Sequence, residues 1–189
     1  MLSSTQCRTL LAAAAVVLLA ACDSSPAAGP DPLLTTDVAP GTYAAQVTGG
    51  ANTVRLAGTA EASQANDGAD FTGTFQSYPL GGAGASGFHF TMIRLRSGDG
   101  GGLVLGHVAP NPGLPNGEFG VEPGRDLRAP YDFVARLIEI GENGVPRYLA
   151  ARSGRVIVTA GDTRLGGRFE LVLEDGRTVT GTFAAITRR

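Results

Sequence analysis

The sequence predicts an all-β fold: an antiparallel β-sandwich first, a closed or partly open antiparallel β-barrel second. Three observations lead there. Glycine and proline are abundant, 28 and 11 in 189 residues, so turns are frequent and long helices few. From Thr42 onward, short runs of alternating apolar and polar residues recur, the period of half-buried strands. Turn signals separate these runs roughly every 8–12 residues, the rhythm of sandwiches and barrels, giving about nine or ten strands.

The first run, TYAAQVT, places Tyr43, Ala45 and Val47 on one face. TVRLAGTAEA does the same with Val54, Leu56, Gly58 and Ala60, and FTGTFQS with Phe71, Gly73 and Phe75. GFHFTMIRLR alternates through Phe88, Phe90 and Met92, then changes phase to Ile93 and Leu95. Such a shift suggests a β-bulge. GDGGG turns the chain into LVLGHV, and GEFGVE is a further short strand after a proline-rich loop. YDFVARLIEI has the apolar residues of either a helix or a strand. Alternation through Tyr131, Phe133, Ala135 and Leu137, and strands on every side, favour a strand. GENG then leads into RYLAARSGRVIVTA, GDT into RLGGRFELVLE, and Asp175-Gly176 into RTVTGTFAA. Asp-Gly between alternating runs is the strongest short hairpin signal.

A small pattern recurs along these strands. Gly73 precedes Phe75, Gly167 precedes Phe169 and Gly181 precedes Phe183, each by two residues and so on one strand face. A mid-strand glycine weakens a strand unless an aromatic covers the bare backbone, which also tightens curvature. A curved sheet packing its own phenylalanines is the expected meaning. A row of glycines admitting a ligand is the alternative.

Residues 1–41 are of another kind. A polar start with Arg8 leads into TLLAAAAVVLLAAC, shorter than the ~20 apolar residues that cross a bilayer and suited to a signal peptide. Leu19-Ala20-Ala21-Cys22 resembles the bacterial lipobox, where the leader is removed just before a cysteine that then carries acyl chains. The resemblance implies removal of residues 1–21 and lipidation of Cys22. Small residues at 20 and 21 let a peptidase reach the backbone, and a thiol is the nucleophile a thioether needs. Two or three chains hold firmly, at ~0.8 kcal/mol per buried methylene, where one does not. Cys7 leaves with the leader, so no disulfide and no thiol-based site is expected. Asp23 reads either as an inner-membrane retention signal or as the first polar residue of a tether. Residues 23–41 carry four prolines and no apolar periodicity. This is an extended linker reaching roughly 55–60 Å, with residues 42–189 forming one domain.

Composition removes several chemistries. All 15 basic residues are arginine, so no lysine Schiff base and no P-loop lysine exist. Net charge is −2 with signs interspersed, which gives no footprint for nucleic acid. His89 and His107 fall on strands joined by a turn centred near residue 99, which pairs residue 107 with 91. Both are expected on one face as an exposed pair; no third ligand is indicated, so no metal site is expected. GASGF lacks the last glycine of a serine-hydrolase elbow and precedes a strand. Asp67, Asp70, Asp99, Glu142, Asp162 and Asp175 are the acids that turns use.

Phe88 to Ala185 resembles a group of small uncharacterised bacterial lipoproteins with an all-β domain. The features are Pro115, Gly117, Phe119 and Val121 in a P-x-G-x-F-x-V run, then SGRVIVT, LGGRFEL and VTGTF. The resemblance implies an envelope lipoprotein and carries over no functional residue beyond Cys22. The expected function is a non-catalytic binding or structural module at the bacterial envelope, without cofactor, held to a membrane through Cys22. Its domain lies in the periplasm or on the cell surface. Its partner is an envelope protein, a glycan or a small apolar ligand. A lipocalin-like barrel carrying an apolar ligand is the alternative, and a hydrolase the third.

Overall fold

A computed structural model describes residues 38–65, 89–123 and 132–188. Cys22, the leader and tether up to residue 37, the Phe71–Phe75 run, Phe88 and Tyr131 lie outside the described residues. The described chain forms nine strands: β1 Thr42–Thr48, β2 Val54–Ala65, β3 His89–Ser97, β4 Gly102–Ala109, β5 Gly117–Gly120, β6 Phe133–Ile140, β7 Pro146–Ala160, β8 Arg164–Leu173 and β9 Thr178–Arg188. YDFVARLIEI is therefore a strand from Phe133 on. Among the described residues, no helix is long and apolar enough to cross a membrane.

The fold is all-β and antiparallel, apart from a short parallel contact between Glu61–Ser63 and Ile186–Arg188 and a parallel bridge between Val121 and Phe133. Its pairings run β7-β6-β4-β3-β2-β1-β9-β8, and β8 pairs back onto β7. Eight strands thus form a ring of hydrogen-bonded neighbours, compatible with both a sandwich and a barrel-like sheet. Four tight connections, β1–β2, β3–β4, β6–β7 and β8–β9, are hairpins whose turns lie at one end. Asp175 shapes the last of them by accepting the Arg177 N–H at 3.1 Å. Asp99 does the same for Gly101 at 3.0 Å.

One face of every ring strand meets in a single apolar core. Val47, Ala60, Leu95, Leu105, Leu137, Leu149, Leu171 and Val179 all belong to it. The phase change in β3 is not a bulge. Register runs without a break from Gly58–Ser97 to Ala65–Phe90, and on the other side from His89–Ala109 to Arg96–Gly102. Ile93 and Leu95 face the core, whereas Phe90 and Met92 belong to a second buried cluster with Val104, Val108 and Val134. β3 is apolar on both faces because both are buried. The bulge sits instead in β7, between Ala151 and Ser153, where that strand changes neighbours.

Before the bulge, β7 pairs with β6 as far as Arg136–Ala150. After it, β7 diverges and takes β5 in place of β6, from Gly117–Val158 to Gly120–Arg155. Residues 117–122 fill the fork between the two long strands. The Val121 N–H donates to the Gly154 carbonyl and the Glu122 N–H to the Phe133 carbonyl, both at 3.0 Å. A four-residue strand thereby satisfies backbone groups that the divergence would otherwise leave unpaired.

The glycine–phenylalanine repeats interlock between strands rather than within one. Register sets Gly167 opposite Phe183 and Phe169 opposite Gly181. A Cβ on Gly167 would lie 2.7 Å from Phe183 Cζ, and one on Gly181 would lie 2.6 Å from Phe169 Cζ. Each ring covers the glycine of the neighbouring strand, and the two stack with centroids 6.4 Å apart. Tyr43 pairs with Gly58 of the neighbouring strand, and its hydroxyl hydrogen-bonds Ser97 of the strand beyond. The space beside Gly167 and Gly181 is taken by phenylalanine rings, not left for a ligand.

Gly181→Ala should therefore cost about 1–3 kcal/mol through overpacking, because Ala44 O and Ala45 Cβ also stand 2.7 Å from the new methyl group. Urea unfolding measures this; a midpoint within error of the parent would mean the interlock is slack.

Candidate functional site

Three arginines and a tyrosine come together on the outer face of β3, β4, β6 and the start of β7. Alternation sends Arg94 and Arg96 outward between the core residues Ile93 and Leu95. Register then builds two neighbouring rows across the strands. The first runs Arg94, Val104, Arg136, Ala150; the second runs Arg96, Gly102, Ile138, Tyr148. Between them lies a groove of about 360 Å³, bounded at one side by Gly100 and Gly101 of the β3–β4 turn.

Gly102 stands between Arg96 and Ile138 in the second row. Its φ is +138°, and a Cβ there would lie 1.9 Å from the Leu95 carbonyl oxygen. No side chain fits at that position. Arg94 Nη1 donates to Ser63 Oγ at 3.2 Å, which fixes one edge of its fork. The Arg136 guanidinium lies 5.7 Å from the centre of the Tyr148 ring, a cation–π contact. Arg96 is exposed, and Tyr148 is 53% exposed, unusual for so large a ring.

Among the described residues that line the groove, none is acidic. Glu61, opposite Arg94 in register, is bound to Arg188. Glu139 and Asp175 are held by Arg177, whose two terminal nitrogens contact Glu139 at 2.5 and 3.0 Å. Those contacts and the Arg177 backbone N–H keep the Asp175 carboxyl below its ordinary range. The planar guanidinium fork suits a carboxylate, sulfate or phosphate group.

The histidines are separated in character. Thr91 and His107 do pair across the hairpin, but His107 faces inward and is only 3% exposed. The expected exposed pair is corrected: the core face, not solvent, receives residue 107. Its ring lies 4.9 Å from that of Phe119 and 5.0 Å from that of Phe133, and neither nitrogen has a hydrogen-bond partner. Burial lowers its pKa to about 4. Among the described residues, no group of three or more His, Cys, Asp or Glu is placed to hold a metal ion.

Sequence reading missed the groove residues altogether. The β3–β4 turn aligns Arg94 with Val104, and GENG aligns Ile138 with Tyr148. Only the β4–β6 pairing, across the stretch from residue 110 to 132, brings Arg136 alongside. No family model matches the chain, and neither a curated protein nor a solved structure matches it.

His107 makes a checkable demand on stability. A pKa near 4 in the folded state against 6.5 unfolded keeps the native imidazole neutral. Its stabilising share is whole above pH 6.5 and declines toward pH 4, by about 3 kcal/mol between those limits. His107→Leu should flatten the unfolding free energy between pH 7 and 5, above most carboxylate titration. An unchanged slope in that variant would sink the assignment.

Proposed function

We propose that this protein is a non-catalytic binding module tethered to the bacterial envelope through acyl chains on Cys22, and that the arginine groove is its binding face. The observation that carries this reading is a groove lined by Arg94, Arg96 and Arg136, with no carboxylate among its described lining residues. Guanidinium groups hold carboxylate and phosphate groups through paired charge-assisted hydrogen bonds. Among the described residues that line the groove, the charged groups are all arginines, which donate hydrogen bonds and accept none. Binding rather than turnover is what this chemistry offers.

The lipobox supplies the second half of the reading. A tether of residues 23–41 would hold the domain within roughly 60 Å of the membrane, where anionic polymers and headgroups are concentrated.

Two measurements test the two halves. Labelled palmitate should enter the mature protein, and Cys22→Ala should abolish both the label and membrane fractionation; a variant still membrane-bound would refute the anchor. In a phosphate titration of the mature chain carrying Cys22→Ser, the side-chain N–H signals of Arg94, Arg96 and Arg136 should shift together. Arg94→Gln with Arg96→Gln should weaken that binding by roughly tenfold or more, each lost charge-assisted bond being worth about 1.5 kcal/mol or more. Signals that never move, or a double variant as tight as the parent, would overturn the groove as binding face.

A further inference from the structure

We infer that the β6–β7 hairpin and the groove beside it dock on an anionic lipid surface, with the apolar tip among the headgroups and lipid phosphates on Arg94 and Arg96. This rests on the groove's being an anion-binding face and goes further, to the partner that carries the anions.

Apolar side chains collect in the open on this hairpin. Among the described residues, five large hydrophobic side chains are exposed, and Ile140, Val145 and Tyr148 are three of them. Register sets Ile140 opposite Pro146 and Ile138 opposite Tyr148, and Pro146 is exposed as well. Val145, at the turn, is 57% exposed. The turn itself does not call for an apolar residue there. Asn143 shapes it by accepting the Val145 N–H at 3.1 Å, a bond that any non-proline residue at 145 would make.

The order of residues along the hairpin matches the depth profile of a membrane surface. Two pairs, Glu139–Arg147 and Ile140–Pro146, continue β6 and β7 past Ile138–Gly102, the last pair between β6 and β4. Back from the tip, Val145 comes first, then Ile140 with Pro146, then Tyr148 in one row with Arg96, then Arg94 in the row behind. Rows on one face are two residues apart, or about 7 Å. A lipid leaflet presents acyl boundary, then the level where tyrosine collects, then phosphate, over a similar distance. Interfacial apolar faces enter about 5–10 Å. That depth takes Val145, Ile140 and Pro146 and leaves Arg96 and Arg94 level with phosphate oxygens.

Charge and size point the same way. The arginine fork grips phosphate through paired hydrogen bonds, Arg96 is exposed, and Arg94 holds Ser63 with only one terminal nitrogen. Two acids stand near the tip. Asp99 accepts the Gly101 N–H, whereas Glu142 is exposed in the turn and opposes an anionic surface. Four exposed apolar side chains fall far short of the roughly 20–30 residues that each side of a stable protein interface supplies. A lipid surface needs no such area when the proposed anchor on Cys22 already holds the domain beside it.

The test uses the mature chain with Cys22→Ser, sedimented with vesicles of phosphatidylcholine alone or with equal parts phosphatidylglycerol. The mixed vesicles should bind about tenfold more tightly or better, and added salt should release the protein. Val145→Asp with Tyr148→Ala should weaken this binding by roughly tenfold or more, while phosphate still shifts the arginine signals. Val145→Trp should strengthen it, and because the chain has no tryptophan of its own, its emission should move to the blue on mixed vesicles. Glu142→Gln should strengthen it too, and Arg96→Gln should weaken vesicle and phosphate binding together. If mixed vesicles do not bind but phosphate shifts the arginine signals, the lipid surface is ruled out and the groove remains an anion site. If neither binds, the inference and the proposed function fall together. Vesicle binding that ignores the changes at Val145 and Tyr148 overturns the docking face. A dimer in solution that Val145→Asp dissolves would assign the patch to a second copy instead. Binding to protein-bearing envelope membranes but not to lipid alone would assign it to a protein, and either result overturns the lipid partner.

Discussion

Backbone amides and carbonyls buried without partners cost more than almost any side-chain contact can return, and in this protein β7 is where that constraint is met. Fifteen residues long, β7 is the strand through which the ring of pairings closes. It serves β6 with its first half and β5 with its second, and pairs with β8 from Ala151 onward. The change of neighbour needs the bulge after Ala151 and a filler for the fork, which residues 117–122 provide. Without that filler the ends of β6 and β7 would part with their hydrogen-bonding edges exposed to the core.

Closure also dictates what occupies the interior. Inner-face positions crowd as strands curve, and the sheet answers with bare glycines covered by aromatic rings from neighbouring strands. Phe169 with Gly181 and Phe183 with Gly167 are two halves of one arrangement, so neither ring can be shortened without opening a void beside the other. Burying each phenylalanine contributes about 2–3 kcal/mol. His107 shows the opposite balance. It occupies a position that an apolar residue would fill without loss, and its two unpaired nitrogens make it a cost carried inside the core.

Outside the ring the same strands create the arginine-lined groove. Arg94 and Arg96 point outward because Ile93 and Leu95 must point inward. Gly102 stays bare because the Leu95 carbonyl leaves no room for a side chain. The groove is therefore a consequence of core packing on the reverse side of the same residues.

Much of this was legible in the chain. Alternation located the strands, Asp175-Gly176 fixed a hairpin, and a turn near residue 99 gave the Thr91–His107 register, because those relations are local and follow from strand period and turn chemistry. Three features were not legible. Phe90 and Met92 mimic a bulge because a strand buried on both faces loses its alternation. His107 reads as exposed because nothing local says which side of a ring becomes the inside. Arg136 could not be placed beside Arg94, since β4 and β6 are joined by a long connection that fixes no register. Sequence by itself determined the strands and the hairpins, each set by neighbours within a few residues. Only the tertiary structure decided which face is core and which arginines share a groove, because pairing between strands distant in the chain is settled by the packing of the whole ring.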